Sequence, residues 1–277
     1  MKPTRASLSL VTCLALVLPT AGRAAEVLRV SGTGTALGTL RQLSAAFARA
    51  NPGRELKVLA SVGSAGAVQA VARGALDMGV SARPLRRDEF SLGLVAIPYA
   101  RTPLLFAVGP RVGATSITAS ELAKIYRGDL ARWPNGERVR VVLRPRDEAD
   151  TQFLIGISPE LAAAVEAALN RPGMLVAATN QESNAMLLST PGSIGTTSLA
   201  QVITEGLSIT PLSWNGVAPA LKNLASGAYP LERTLYLVIR APAAPPVRSF
   251  VSFLATAEAQ RILERAGNIP LHLAPLE

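Results

Sequence analysis

Apolar residues recur along this chain in two periods that alternate. Val27–Ser31 reads as a short apolar strand and Gly32–Thr35 as a turn. Leu37, Leu40, Leu43 and Phe47 then fall at helical spacing, until Asn51-Pro52-Gly53 stops the helix. Leu56–Ala60 is a second strand, and Gly63–Gly66 leads into a helix with Ala67, Val68, Val71 and Ala72 on one face. Leu76–Ser81 and Leu104–Val108 read as a third and a fourth strand. Thr118-Ala119-Ser120-Glu121 has the form of a capping box, which starts a helix near Ala119. Val139–Leu143 is a strand that runs out into Arg144–Thr151. Ser158-Pro159 caps an alanine-rich helix that reaches Asn170. Thr234–Arg240 is the strongest late strand, Ala241–Pro246 an extended connector, and Thr256 caps a last helix ended by Gly267. Strand and helix patterns in alternation predict an α/β fold with largely parallel sheets.

The first 25 residues follow a different grammar. Lys2 and Arg5 make a positive start, Ala6–Pro19 is apolar or small, and Thr20–Ala25 supplies the small residues of a cleavage site. This is the pattern of a secretory signal peptide, and at roughly 14 residues the apolar run falls short of the about 20 a membrane span needs. The only cysteine, Cys13, lies inside it, so the chain beyond carries no disulfide and no cysteine metal site. Lys2, Arg5 and Arg23 lie there too, so the formal charge of +9 falls by three to +6 without it.

That positive balance suits an anionic ligand. The basic residues are scattered, with no run longer than Arg86-Arg87, and aromatics make up only 4% of the chain. Both facts argue against a nucleic-acid groove. The single histidine, His272, reads as a surface residue, and neither a metal site nor a cofactor is expected. No Gly-x-Ser-x-Gly elbow, cysteine nucleophile or suitably placed histidine is present, so a hydrolase is disfavoured and no enzymatic activity is expected. Trp133 and Trp214 read as packing residues, and Arg86–Glu89 as a solvated helix start.

Three strand-to-helix turns carry the candidate chemistry: Gly32–Thr35, Gly63–Gly66 and Arg144–Thr151. Each sets backbone N–H groups and a positive helix end beyond the carboxyl end of a strand, where open α/β sheets bind ligands and hold anions. Gly32-Thr33-Gly34-Thr35 is not a P-loop, because no Gly-Lys-Ser/Thr follows.

The segment Gly63–Gly79 (GSAGAVQAVARGALDMG) resembles a helix segment of the phosphate-binding proteins of ABC-type uptake systems. So does Ser116–Gly128 (SITASELAKIYRG), which ends near Trp133. Gly192-Ser193-Ile194-Gly195 and Ser226–Arg233 match that family's glycine turn and late sheet approach, and the resemblance runs in order from about Val27 to Leu271. It implies the two-domain periplasmic-binding-protein fold, with two interdomain crossovers and a central ligand cleft. Domain I would comprise 26–104 plus 236–277 and domain II 105–235, behind a signal peptide at 1–25. The ligand contacts would fall on Thr33, Gly34, Thr35 and Ser64, on Ser81 and Arg83 after the third strand, and on Arg144, Glu148 and Thr151.

The sequence departs from the family in two places. A Ser-Gly-Thr run usual after the arginine is replaced by Glu148-Ala149-Asp150, and an aspartate common after the third strand's serine is absent, since Ser81 leads to Ala82 and Arg83. Two carboxylates beside a dianion cost on the order of several kcal/mol each at reduced dielectric. They could point away as helix N-caps, be neutralised by Arg83 across the cleft, or one could accept a hydrogen bond from a protonated oxyanion. The first is assigned to Asp150, and Glu148 stays open among the three. The reading is a monomeric periplasmic protein that captures a small inorganic oxyanion, phosphate first, for an ABC permease in the inner membrane. The alternative is a sensor or scaffold of the same fold that presents its bound form to a signalling partner.

Overall fold

The computed structural model describes residues 26–274. The signal-peptide assignment and Cys13 lie outside these residues. Among the described residues, no helix is long and apolar enough to cross a membrane.

The chain begins β1 (Glu26–Gly32), α1 (Gly34–Ala50), β2 (Arg54–Val58), α2 (Gly63–Ala72) and β3 (Met78–Ser81). β1 pairs in parallel with both β2 and β3. Leu37, Leu40, Leu43 and Phe47 form the buried face of α1, as their spacing predicts. Gly32 has φ +151°, and a Cβ there would collide with the carbonyl of Val80, so the chain leaves β1 for α1 only through glycine.

A 3₁₀ turn (Arg87–Leu92) leads into β4 (Leu94–Val108), fifteen residues long. The sequence reveals only its last third, because Pro98, Arg101 and Pro103 break the apolar pattern before it. There follow β5 (Ser116–Ile117), α3 (Ala119–Arg127), β6 (Arg140–Leu143), α4 (Ala149–Ile157), α5 (Pro159–Leu169), β7 (Leu175–Val176) and α6 (Asn180–Ser189). The chain continues through β8 (Ser193–Ser198), α7 (Leu199–Thr204), β9 (Thr210–Pro211), β10 (Ser213–Trp214) and α8 (Leu221–Ala225). It returns through β11 (Glu232–Arg240), α9 (Pro245–Leu254), α10 (Ala257–Arg265) and β12 (Ile269–Pro270).

The large sheet runs β2-β1-β3-β11-β4-β8-β6-β7. It is mixed rather than largely parallel, since β11 is antiparallel to β3 and β4, and β4 is antiparallel to β8. β4 belongs to both halves: Leu94–Pro103 lie against β11, and Leu104–Val108 against β8. One core packs α1 against α9 and takes Tyr99 and Ala100 from β4, with Phe47 edge-on to Phe250 and Phe253 at 5.3 and 5.5 Å. The other takes Phe106 and Val108, packs α3 on α5, and stacks Trp214 on Phe106 at 5.5 Å. Trp133 is also buried and donates its indole N–H to Gly192 O, so both tryptophans are packing residues. His272 is exposed.

Local signals hold where they are strong. Ser158 accepts from Leu161 N–H, and Thr256 from Ala259 N–H. Thr118 accepts from Glu121 N–H at 3.2 Å while Glu121 accepts from Thr118 N–H at 2.9 Å. Thr118→Ala is expected to cost about 1 kcal/mol, a fall in Tm of about 2–4 °C by differential scanning calorimetry. The connector at Ala241–Pro246 is shorter than its composition suggests: Pro245 and Pro246 occupy the first turn of α9, where a missing N–H costs nothing.

Candidate functional site

The three turns named from the sequence lie where the two halves meet. In the first, Thr33 donates its N–H to Val80 O at 2.9 Å and makes no side-chain cap to α1. Thr33 and Thr35 are both buried. Gly34 opens α1 against α6 of the other half: Gln181 Nε2 donates to Gly34 O at 3.2 Å, and a Cβ on Gly34 would lie 2.8 Å from Asn180 Cβ. In the second turn, Gly63 starts α2 at φ +69°, and the Ser64 hydroxyl accepts the Ala82 N–H at 3.0 Å, leaving its own proton to donate.

Ser81 and Arg83 face elsewhere. The Ser81 hydroxyl closes on the backbone of Arg83, donating to its carbonyl at 2.6 Å. The Arg83 guanidinium grips Glu89 with two bonds of 2.7 Å, so it does not neutralise Glu148 or Asp150. Glu89, read from the sequence as solvated, is 5% exposed and also accepts the Arg86 N–H at 2.7 Å. Hydrogen bonding to Arg83 holds the Glu89 carboxyl below the usual carboxylate range, against the opposing effect of burial. A lowered carboxyl contributes stability above its ordinary range and loses it as the pH falls through the folded value. Glu89→Gln is therefore expected to flatten the acid limb of the urea-midpoint profile from about pH 5 downward.

The third turn holds most of the charge. Thr151 donates its hydroxyl to Arg144 O at 3.0 Å, bracing the end of β6 against α4. The Arg144 side chain is 3% exposed. Its Nη2 donates to Glu148 Oε2 at 3.2 Å and to Ala178 O at 3.3 Å, while Nε and Nη1 have no partner among the described residues. Glu148 is the N-cap residue of α4, but its side chain makes no capping bond. It reaches across to α2, where a Cβ built on Gly63 would lie 3.1 Å from Glu148 Oε1.

Asp150 does not point away as a cap. Its carboxylate accepts from Arg233 Nη2 at 2.9 Å, Thr196 Oγ1 at 3.1 Å and Asn180 Nδ2 at 3.3 Å, all within the buried site. Arg233 explains the turn inward. It is 6% exposed on the side chain, lies 5.2 Å from the centre of the Phe153 ring, and donates Nη1 to Ala82 O and Ala149 O, one from each half. Burial lowers its pKa below the ordinary guanidinium range, Asp150 opposes this, and nearby Arg144 adds to it. A cation so enclosed requires a counter-charge, and Asp150 supplies it. The site thus holds two arginines and two carboxylates.

Sequence reasoning missed Arg233 as a site residue, although a signal existed. Arg233 shares its face of the strand with Leu235 and Leu237, both buried, so period-two alternation already placed a charge inside. Asn180, Gln181 and Arg86 had no such signal, because they meet their partners only across the fold.

A model of the PBP superfamily domain matches residues 19–258. The chain belongs to the PBP superfamily. Among its relatives is the phosphate-binding protein PstS of Bacillus subtilis, 26% identical over 259 residues, covering 90% of this chain and 82% of that protein. PstS of Borreliella burgdorferi is 26% identical over 200 residues, covering 69% and 71%. In three dimensions the chain resembles a putative phosphate ABC transporter substrate-binding protein of Clostridium perfringens, solved with bound phosphate. That likeness has a TM-score of 0.76 at 17% identity and covers 89% of this chain and 100% of that one. The resemblance read from the sequence is met by these relatives, and the PBP fold here is the two-domain α/β form expected. The mixed sheet of this PBP member is the one departure from the expected strand directions.

Proposed function

We propose that this protein is an extracytoplasmic solute-binding protein that captures a small inorganic oxyanion, phosphate first, and delivers it to an ABC permease. The observation that carries the reading is Arg144: a guanidinium almost wholly buried, with two donor nitrogens unpartnered among the described residues and its partner Glu148 reaching the N-terminus of α2 in the other half. Two relatives bear the name phosphate-binding protein, which favours phosphate among oxyanions. In this reading Thr33, Gly34, Thr35 and Ser64 supply N–H and hydroxyl donors from domain I, and Arg144 supplies charge from domain II. Thr151 acts by bracing the Arg144 backbone, and Ser81 and Arg83 by shaping the domain I loop. The domains divide on β4 between Ala100 and Phe106, and near the start of β11. Binding closes the cleft and excludes water, and release needs no chemistry. The protein works as a monomer behind a cleaved signal peptide.

A thermal-shift panel of phosphate, arsenate, sulfate, molybdate and tungstate tests this reading. Phosphate is expected to raise Tm with a dependence on concentration that follows mass action. No shift with any of the five at millimolar concentration would sink it.

A further inference from the structure

We propose that Glu148 is a resident competitor for the anion seat: its carboxylate occupies the place between Arg144 and the start of α2 that an incoming oxyanion must take. This rests on the oxyanion reading of the same site and adds the residue that sets its affinity and the charge it accepts. Three observations place Glu148 there. One carboxylate oxygen accepts from Arg144 Nη2 at 3.2 Å, and the other approaches Gly63, the first residue of α2, from the opposite half. The side chain makes no capping bond to its own helix α4, so the reach across is not capping. The turn that carries it is closed by Glu148 N–H on Pro145 O at 3.0 Å and held from the other side as well, since Arg86 Nη2 donates to Asp147 O at 2.9 Å.

A carboxylate so placed mimics the bound anion. It neutralises Arg144 and the partial positive charge of the α2 N-terminus while the cleft is free of ligand. An oxyanion that takes the same donors must displace it, and a dianion meets the greater repulsion from it.

The test uses isothermal titration with inorganic phosphate at pH 8 and calorimetric Tm of the ligand-free protein, on wild type, Glu148→Gln and Asp147→Asn. Asp147→Asn removes the same charge from the same turn but not from the seat. Glu148→Gln is expected to bind phosphate at least about tenfold more tightly and to lower the ligand-free Tm by a few degrees, whereas Asp147→Asn does neither. Weaker binding by Glu148→Gln would make Glu148 a group that holds the ligand, and would overturn the proposal. Unchanged binding, or an equal gain in Asp147→Asn, would overturn it as well. If no variant binds phosphate, the oxyanion reading fails and the ligand-free Tm decides the placement alone. A drop confined to Glu148→Gln upholds the seated carboxylate, and no drop overturns it.

Discussion

Arg144→Ala is expected to lose the phosphate-dependent rise in Tm at ligand concentrations that saturate the wild type. The guanidinium is buried, two of its nitrogens are unpartnered among the described residues, and Glu148 is the carboxylate it pairs with. Removing one partner of a buried, charge-assisted contact costs about 2–5 kcal/mol, or about 30-fold to several thousand-fold in affinity. Alanine also leaves Glu148 beside the seat without its arginine, and the remaining carboxylate repels the ligand. Arg144→Lys should fall between the two, because an ammonium keeps the charge but not the planar fork. Titration calorimetry on the three proteins measures this ordering, and an alanine variant that binds normally would remove Arg144 from the site.

Asp150→Asn has the second large expected effect, and it falls on stability rather than binding. Arg233 is enclosed, and Asp150 is the carboxylate it touches. Breaking a buried pair from one side costs about 3–5 kcal/mol, because the remaining charge stays buried without compensation. For a chain of this size that is a fall in Tm of about 6–20 °C. The double variant Asp150→Asn with Arg233→Met should recover part of the loss, since no unpaired charge remains. A double variant no more stable than Asp150→Asn alone would mean that Arg233 stabilises the fold through its bonds to Ala82 O and Ala149 O instead.

These two residues differ in how far the sequence exposes them. Arg144 stands at the end of an apolar strand, before a turn and a helix, and that local order marks it as a ligand candidate. Arg233 is visible only as a charge in phase with leucines, which signals burial without naming a partner. Asp150, one position into α4, invites a capping role by local rules, and the structure overrides them because a buried cation lies within reach.

What the sequence by itself determined is a subset of the elements and some of their termini: the buried face of α1, the capping box of α3, the Ser158 and Thr256 caps, and the Gly32 and Gly63 turns. Each follows from interactions a few residues apart. The family resemblance added the two-domain fold. Only the tertiary structure decided which charges meet. Arg83 lies six residues from Glu89 and pairs with it, Glu148 crosses to Gly63, and Asp150 finds Arg233 eighty-three residues away. Ion pairs between segments distant in the chain leave no period in the sequence, because they depend on which burial sites the packed sheet and helices bring together and on the need to compensate every charge enclosed there.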